Sequence, residues 1–323
     1  MPVLVDTREP APADAEADII DRLERRLGRL HARHRLGIEA DHERRARARR
    51  FDLLQLESWA PVLRGGLKLS GLYWRARRNA ARIEIRDNIV RSRRLPAAFD
   101  GFTILHISDL HIETNDAAML RLAELLPPLV YDLCVLTGDF RSQTFGAFDR
   151  ALEGLARLCA HFSAPAYGVL GNHDSVRMVP PIEDLGIRML VNECETLSRG
   201  QERLYLAGVD DAHLYRVDNL EKAAEAIPDD AFSILLSHTP EVYRQAAHAG
   251  FDLLLAGHTH GGQLCLPGGV PVTLDAALPR HMGRGAWQYG AMAGYTSVGV
   301  GACVEPVRLN CPPAITLHRL QRS

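Results

Sequence analysis

Short apolar runs alternate with amphipathic stretches along most of this chain, and this alternation limits the possible fold more than any other feature. The runs at 102–108, 133–137 and 165–170 have the length of strands. Longer stretches lie between them, such as 145–162, whose apolar residues recur at helical spacing. A strand–helix–strand order of this kind predicts an α/β fold in which helices cover the sheet on both faces.

The pattern divides the chain into two predicted parts. Residues 80–323 carry the alternation, and later runs such as 203–209 and 314–320 predict extra strands, some of them antiparallel. Residues 1–79 form a basic helical N-terminal extension. Within it, residues 1–18 are rich in Pro, Ala and Asp, and we expect a flexible tail there.

Two helices are predicted in the extension. The first is marked by apolar residues at spacings of three and four: Ile20, Leu23, Leu27 and Leu30. We expect it to begin near Ala17 and to stop by Gly37, and a second helix to run from about Asp41 to Trp59. The apolar seam is short for a coiled coil, so packing on the chain itself is favoured over a dimer seam. The oligomeric state stays open.

Charge is divided unevenly between the two parts. Residues 1–98 carry a net charge of +8, whereas the remainder carries −10. Trp59, Tyr73 and Trp74 lie among the arginines, which is typical of a segment that contacts an anionic membrane surface, and we assign this contact to residues 41–94. Docking of this segment onto residues 80–323 is the alternative. The acidic remainder disfavours nucleic acid as a partner.

No segment of the sequence predicts export or a membrane span. The N-terminus lacks a basic stretch followed by an apolar one, and no window approaches the roughly 18 apolar residues that a span needs. The six cysteines form no CxxC pair, which favours reduced thiols. We therefore expect a cytoplasmic protein that is either free or peripheral on the inner face of the membrane.

Polar side chains follow five of the predicted strands directly. They are Asp109, His111, Asp139, Asn172, His173, Asp174, His238, His258 and His260. Because ligands of open α/β sheets bind at the carboxyl ends of strands, we expect these side chains to converge. Imidazole and carboxylate together suit Mn, Fe or Zn better than Ca. The set exceeds what one metal needs, so the sequence predicts two divalent metal ions that share a carboxylate.

The order of these motifs resembles that of a known family. The series DLH, GD, GNHD, SH and GHTH is similar to that of the calcineurin-like metallophosphoesterases, over about residues 80–323. GHTHGGQ, together with PAAFDGFTILHISDLH, resembles the bacterial YkuE-like phosphohydrolase branch. The resemblance implies an α/β fold of the α+β sandwich type, with mixed central sheets in four layers, α/β/β/α. Several members of the branch carry an N-terminal membrane anchor, whereas this front end is basic and has no span.

The resemblance also implies a role for each site residue. The first metal would be held by Asp109, His111, Asp139 and His260. The second would be held by the bridging Asp139 with Asn172, His238 and His258. His173 would be a catalytic residue that donates a proton or a hydrogen bond to the leaving oxygen, and Asp174 would support it.

These roles imply a dimetal-dependent phosphohydrolase. A metal-bridging hydroxide would attack phosphorus in line and cleave a phosphodiester or pyrophosphate bond. The basic front end and the family branch favour a lipid-linked or nucleotide-sugar substrate at the membrane surface. The alternatives are a cyclic-nucleotide or nucleic-acid phosphodiesterase and a non-catalytic metal-binding scaffold, and the intact ligand set argues against the scaffold.

Other polar residues receive a plainer interpretation. His106 lies inside a predicted strand, and we expect a hydrogen-bonded strand histidine rather than a ligand. Asp210 and Asp211 follow a predicted strand, and we expect a turn pair rather than part of the pocket. Loops that could shape the substrate site carry His213, His281, Arg284 and Trp287.

Overall fold

The computed structural model describes residues 12–48 and 60–323, and it has nine α-helices and fourteen strands in those ranges. The helices are α1 (Pro12–Leu27), α2 (Arg29–Ala48), α3 (Ala60–Leu69), α4 (Tyr73–Asn79), α5 (Asp116–Leu125), α6 (Asp149–Cys159), α7 (Val179–Asp184), α8 (Leu220–Ala224) and α9 (Tyr243–His248). The strands are β1 (Glu84–Ser92), β2 (Thr103–Ile107), β3 (Leu133–Thr137), β4 (Ala166–Val169), β5 (Ile187–Met189), β6 (Glu193–Arg199), β7 (Glu202–Gly208), β8 (Ser233–Leu236), β9 (Leu253–Ala256), β10 (Cys265–Leu266), β11 (Val270–Pro271), β12 (Gly285–Tyr289), β13 (Met292–Thr296) and β14 (Ala314–Arg322).

Twelve of these strands form two six-stranded sheets. The first sheet has the order β1-β14-β2-β3-β4-β5, in which β2 to β5 are parallel and β14 is antiparallel to β2. The second has the order β12-β13-β9-β8-β7-β6, in which the inner four strands are parallel and both edge strands are antiparallel to their neighbours. The expectation of mixed sheets with some antiparallel strands is therefore confirmed.

The two sheets pack face to face and are covered by helices on their outer faces. Ile104 and Val135 of the first sheet share one buried cluster with Leu206 and Ile234 of the second. On the outer side of the first sheet, α5, α6 and α7 pack through a second cluster, and α8 and α9 cover the second sheet through a third. This arrangement is the predicted α/β/β/α order, because each sheet buries both of its faces.

The N-terminal helices differ from the prediction in their boundaries. Helix α1 begins at Pro12, inside the segment predicted as a tail, and residues 1–11 lie outside the described residues. The break between the helices falls at Gly28, which has a left-handed φ of +84°, whereas Gly37 lies within α2. A glycine takes this conformation without the penalty that a side chain incurs, so Gly28 ends α1. The predicted helix end at Trp59 lies outside the described residues.

Helix α1 packs on the body of the same chain. Leu23 is fully buried and belongs to the cluster beneath the first sheet, and Leu27 lies beside it. Leu30, the last residue of the predicted seam, is 81% exposed.

No helix within the described ranges is both long and apolar enough to span a bilayer. The division into residues 1–79 and 80–323 stays a prediction.

We expect Leu23→Ala to lower the free energy of unfolding of the full chain by about 2–5 kcal/mol, because the substitution leaves a cavity in a close-packed cluster. Urea denaturation measures this value. The matched control is Leu30→Ala, which should change the free energy by less than about 0.5 kcal/mol because that side chain is exposed. Equal small effects of the two substitutions would contradict the packing of α1 on the body.

Candidate metal centre

The structure brings all seven predicted metal ligands together at the carboxyl ends of strands from both sheets. Asp109 and His111 follow β2, Asp139 follows β3, and Asn172 follows β4. The second sheet contributes the remaining three, which follow β8 and β9: His238, His258 and His260. Because the carboxyl ends of the parallel strands in both sheets face the same edge of the sandwich, residues far apart in sequence share one site.

The backbone at this edge is unusual. Five of the predicted ligands have a left-handed φ between 39° and 70°: Asp109, His111, Asp139, His258 and His260. Such a conformation costs of order 1–3 kcal/mol for a residue with a side chain and clusters at functional sites. The glycines beside these residues allow the loops to approach closely, since a Cβ at Gly257 would collide with the Ser108 hydroxyl and one at Gly171 with the Asp139 carboxylate.

The side chains form two adjacent groups of metal-ligating atoms. One group consists of Asp109, His111 and His260, and the other of Asp139, His238 and His258. Asp139 lies between the groups, with Oδ2 3.5 Å from His111 Nε2 and 3.3 Å from His238 Nε2. Asn172 Oδ1 joins the second group, 2.9 Å from His238 Nε2.

The ring nitrogens of three histidines show that this set fits a cation. Nδ1 of His111 donates to the Arg141 carbonyl at 3.1 Å, Nδ1 of His238 to the Thr137 carbonyl at 2.7 Å, and Nε2 of His258 to the Asp275 carbonyl at 2.6 Å. In the neutral ring the other nitrogen then carries a lone pair. The opposite nitrogens of His111 and His238 face the Asp139 carboxylate, and that of His258 lies 3.2 Å from His238 Nε2. Positive charge among these atoms, from a proton or a metal ion, stabilises such an arrangement.

The electrostatics of the site indicate the same demand for positive charge. Burial lowers the pKa of His111 to about 3, and it also holds the pKa values of His258 and His260 well below the usual range, so these rings stay neutral. Burial opposes the protonation of His238 as well, but the Asp139 carboxylate raises its pKa to about 10. Carboxylate charge at the centre thus outweighs the cost of burying a cation there.

His173 and Asp174 have different surroundings. The His173 ring is half-buried, its Nδ1 lies 3.2 Å from Thr144 Oγ1, and its backbone N–H donates to Asp139 Oδ1. The Asp174 carboxylate is fully buried and accepts backbone N–H groups from Gly171 and from residues 139–141. Asp174 therefore holds two site loops together and does not face the open side. The resemblance implies a supporting role for Asp174, and these backbone contacts are of that kind.

A family model described as Calcineurin-like phosphoesterase matches residues 102–262, a range that contains every predicted ligand. The chain carries a calcineurin-like metallophosphoesterase domain. The Bacillus subtilis metallophosphoesterase YkoQ is 28% identical over 261 residues, which cover 76% of this chain and 94% of that protein. For YkuE of the same organism the identity is 29% over 253 residues, with coverage of 74% and 86%.

The Escherichia coli phosphodiesterase YaeI is 29% identical over 240 residues, which cover 68% of this chain and 82% of that protein. Its name and the matched family agree with the chemistry of the donor set. The protein is therefore a metal-dependent phosphoester hydrolase. The fold of such metallophosphoesterases implies divalent metal ions, and the two donor groups around Asp139 are the candidate sites for them.

Two arginines of the metallophosphoesterase site were not singled out from the sequence. Arg308 is fully buried and donates to the backbone oxygen and to Nδ1 of His260. Arg141 donates through Nε to the His173 carbonyl, while its own carbonyl accepts from His111. Arg141 lies two positions after the Gly-Asp motif, and this closeness to a site motif could have marked it as a site residue. Arg308 has none, since it stands alone in a segment far from any motif.

A buried ion-pair network joins α2 to the loop that carries His173. Arg35 is fully buried, donates to Glu39 at 2.7 Å and to Asp210 at 2.9 Å, and stacks on an aromatic ring. Glu39 in turn accepts from the Ser175 hydroxyl at 2.7 Å and from the Val176 N–H at 2.6 Å. The N-terminal extension thus anchors the segment directly after His173 and Asp174, a link that no sequence pattern indicated.

The other polar residues follow the expectations in part. Asp211 accepts three backbone N–H groups from residues 213–215, which confirms the turn, whereas Asp210 pairs with Arg35 instead. His213 lies at the site, with its ring centroid 4.2 Å from that of His258. Trp287 was wrongly placed in a loop, because it belongs to β12 and is buried in the core behind the second sheet.

His106 is confirmed as a hydrogen-bonded strand histidine, and it belongs to a chain of buried donors. Thr137 donates to the Ser108 hydroxyl at 2.7 Å and so accepts from His106 Nε2 at 2.8 Å. His106 Nδ1 then accepts from His318 Nε2 at 3.2 Å, and His318 Nδ1 accepts from Asn88 at 3.0 Å. Each ring is thereby set in the neutral form with its hydrogen on Nε2.

We expect Glu39→Ala to lower kcat by about 10- to 100-fold, because a displacement of about 1 Å in a catalytic loop costs that order. Hydrolysis of an aryl phosphodiester by the metal-supplemented protein measures the effect. Glu43→Ala is the matched control, since Glu43 lies one turn further along α2 and, among the described residues, pairs only with the exposed Arg47. Equal rates of Glu39→Ala and the control would contradict the anchoring role.

The folded protein should lose stability as the pH falls, in part through His106. Burial lowers the pKa of His106 to about 3, so the unfolded chain binds the extra proton first, below its pKa of about 6.5. The contribution of neutral His106 to the free energy of unfolding is complete at neutral pH. About 2 kcal/mol of this contribution is lost by about pH 5. We expect His106→Gln to reduce the pH dependence of the urea-unfolding free energy by that amount, and His248→Gln, at an exposed position, to leave it unchanged.

Proposed function

We propose that the protein hydrolyses a phosphodiester or pyrophosphate bond at the edge where the two donor groups meet. The observation that carries this proposal is the position of Asp139, whose Oδ2 lies within 3.5 Å of His111 Nε2 and 3.3 Å of His238 Nε2. A carboxylate shared by two sets of donors suits two divalent cations held side by side.

The assignment of ligands follows the two groups. The first cation would be held by Asp109, His111, Asp139 and His260. The second would be held by Asp139, Asn172, His238 and His258. This mixture of imidazole, carboxylate and one amide oxygen suits Mn, Fe or Zn. When bound, such a pair polarises the phosphoryl group as a Lewis acid and lowers the pKa of water.

The remaining steps belong to side chains of the protein. In its imidazolium form the His173 ring would donate through Nδ1 to Thr144 Oγ1, 3.2 Å away, and would carry its second hydrogen on Nε2. We infer that this Nε2 donates to the oxygen that leaves phosphorus, a contribution of about 10²–10⁴-fold in rate for a general acid. The Asp174 carboxylate accepts four backbone N–H groups, and these hydrogen bonds hold the loops of Asp139 and Gly171 together.

We further propose a lipid-linked or nucleotide-sugar substrate, handled by a protein that is peripheral on the inner face of a membrane. The support is the basic helical segment α3–α4, which is attached to the site. The Ala76 carbonyl of α4 accepts from the Arg308 N–H at 2.9 Å, and the Arg308 guanidinium contacts His260. A substrate presented at that helical segment lies on the His260 side of the site.

Asp139→Asn and His173→Asn should separate metal binding from proton donation. We expect Asp139→Asn to lose bound metal, measured by elemental analysis, together with hydrolysis of an aryl phosphodiester. His173→Asn should retain its metal but lose about 10²–10⁴-fold in kcat, because only the donor to the leaving group is removed.

His248→Asn serves as the control, since His248 is exposed on α9. Full metal content and turnover in Asp139→Asn would contradict the shared-carboxylate assignment. A normal rate in His173→Asn would remove this residue from the mechanism. A metal-loaded protein that hydrolyses no monoester, diester, cyclic nucleotide or sugar nucleotide would contradict the proposed function as a whole.

A further inference from the structure

Helices α3 and α4 carry positive charge that is not neutralised. Residues 60–83 contain six basic residues and no acidic one. Arg77, Arg78 and Arg82 are exposed, and their side chains make no hydrogen bond or ion pair with any residue that the structure describes. Several arginines of α1 and α2, in contrast, are paired with carboxylates. A cluster of unpaired arginines attracts a polyanionic surface.

Large apolar side chains are exposed beside this charge. Val62 is 61% exposed, Leu69 91% and Trp74 69%. Val62 and Leu69 are seven positions apart and so lie on one face of α3. Gly71, with φ of +72°, closes a tight turn between the helices. Exposed tryptophan and leucine next to arginine are typical of a segment in the headgroup region of a bilayer.

The inner faces of the two helices share a small core with the body. Leu67 and Tyr73 pack there with Ala76 and with Val307 of the body. The exposed apolar and basic side chains of the two helices, together with Arg82 just after α4, lie outside that core. We call this surface the docking face, and its members are Val62, Leu69, Trp74, Arg77, Arg78 and Arg82.

A cavity beside α4 offers a place for an anionic group. Its volume is about 530 Å³, and its lining includes Arg75, Asn79, Arg82, Arg121 and Asn310. Glu84 also lines it but is engaged by Arg86 at 2.9 Å. Guanidinium groups match the oxygens of a phosphate through paired N–H donors. Because Arg82 belongs to both the cavity and the docking face, a phosphate in the cavity would lie at the edge of that face.

We propose that the docking face binds the surface of an anionic phospholipid bilayer, with a lipid phosphate in the cavity beside Arg82. This proposal rests on the membrane-surface part of the proposed function and narrows the predicted contact from residues 41–94 to residues 60–82. The apolar side chains enter the headgroup region, and the unpaired arginines contact lipid phosphates.

Docking of this kind would couple the bilayer to the metal centre. Arg64 of α3 forms an ion pair with Glu305, and the Ala76 carbonyl of α4 accepts from the Arg308 N–H. Arg308 contacts His260 directly. Two hydrogen bonds, both through Arg308, thus link the backbone of α4 to the predicted metal ligand His260.

Co-sedimentation of the full chain with vesicles tests the proposal without any turnover. We expect binding to vesicles of equal parts phosphatidylcholine and phosphatidylglycerol, weak binding to phosphatidylcholine alone, and release at high salt. The double substitution Arg77→Gln/Arg78→Gln should weaken binding about 30-fold, since each basic residue near an anionic surface contributes about a five-fold factor. Leu69→Ser/Trp74→Ala should weaken it as well.

The matched control is Val130→Ser/Arg150→Gln, which removes an exposed apolar residue and an exposed arginine elsewhere on the body. It should bind like the unmodified protein. Thermal unfolding checks that each variant is folded. As a second measurement, the fluorescence of the unmodified protein should shift to the blue on mixed vesicles, and Trp74→Phe should lose that shift.

Three results would overturn the proposal. They are no sedimentation of the unmodified protein with vesicles, equal binding to both vesicle types, or a loss of vesicle binding in the control variant equal to that in the docking-face variants. Failure of the proposed function is distinguishable, because it would appear as absent hydrolysis of a soluble aryl phosphodiester while vesicle binding persists. Conversely, hydrolysis without vesicle binding would leave the phosphohydrolase in place and remove the docking face.

Discussion

The structure depends on the close approach of buried imidazole nitrogens and carboxylate oxygens around Asp139. Histidines 111, 238 and 258 each donate one ring hydrogen to a backbone carbonyl. The opposite nitrogens of His111 and His238 face Asp139, and that of His258 faces His238. Such an assembly is stabilised by positive charge, which a proton on His238 or a bound metal ion would supply. The surrounding chain holds it in place through left-handed backbone at the ligands, glycines that admit close approach, and the buried Asp174 carboxylate that clamps two loops.

The N-terminal extension participates in this arrangement rather than standing apart from it. Helix α2 reaches the loop after His173 through Glu39, and α4 reaches His260 through Arg308. Breaking a buried ion pair such as Arg35–Glu39 is costly because one charge remains without its partner. Two loops of the metal centre are therefore supported by elements that precede the family-matched residues, which begin at residue 102.

Much of the fold and of the site could be predicted because the signals are local. Strand β2 and its Asp109-Leu110-His111 ending are contiguous in sequence, as are β9 and its His258-Thr259-His260 ending. The boundary of α1 was less predictable, because Gly28 and Gly37 look alike in sequence and only packing selects the left-handed one. Trp287 was misplaced for a related reason, since an aromatic residue between glycine-rich turns suits a loop and an edge strand equally.

The sequence by itself determined the chemistry of the site: which residues bear imidazole, carboxylate and amide groups, and that each group follows a strand. Only the tertiary structure decided which of these face one another, which ring nitrogen remains free, and which distant residues support them. Arg308, Glu39 and His318 carry no motif. Their contacts arise from the packing of two sheets and the helices around them, and packing of this kind depends on residues too far apart along the chain for any local pattern to register.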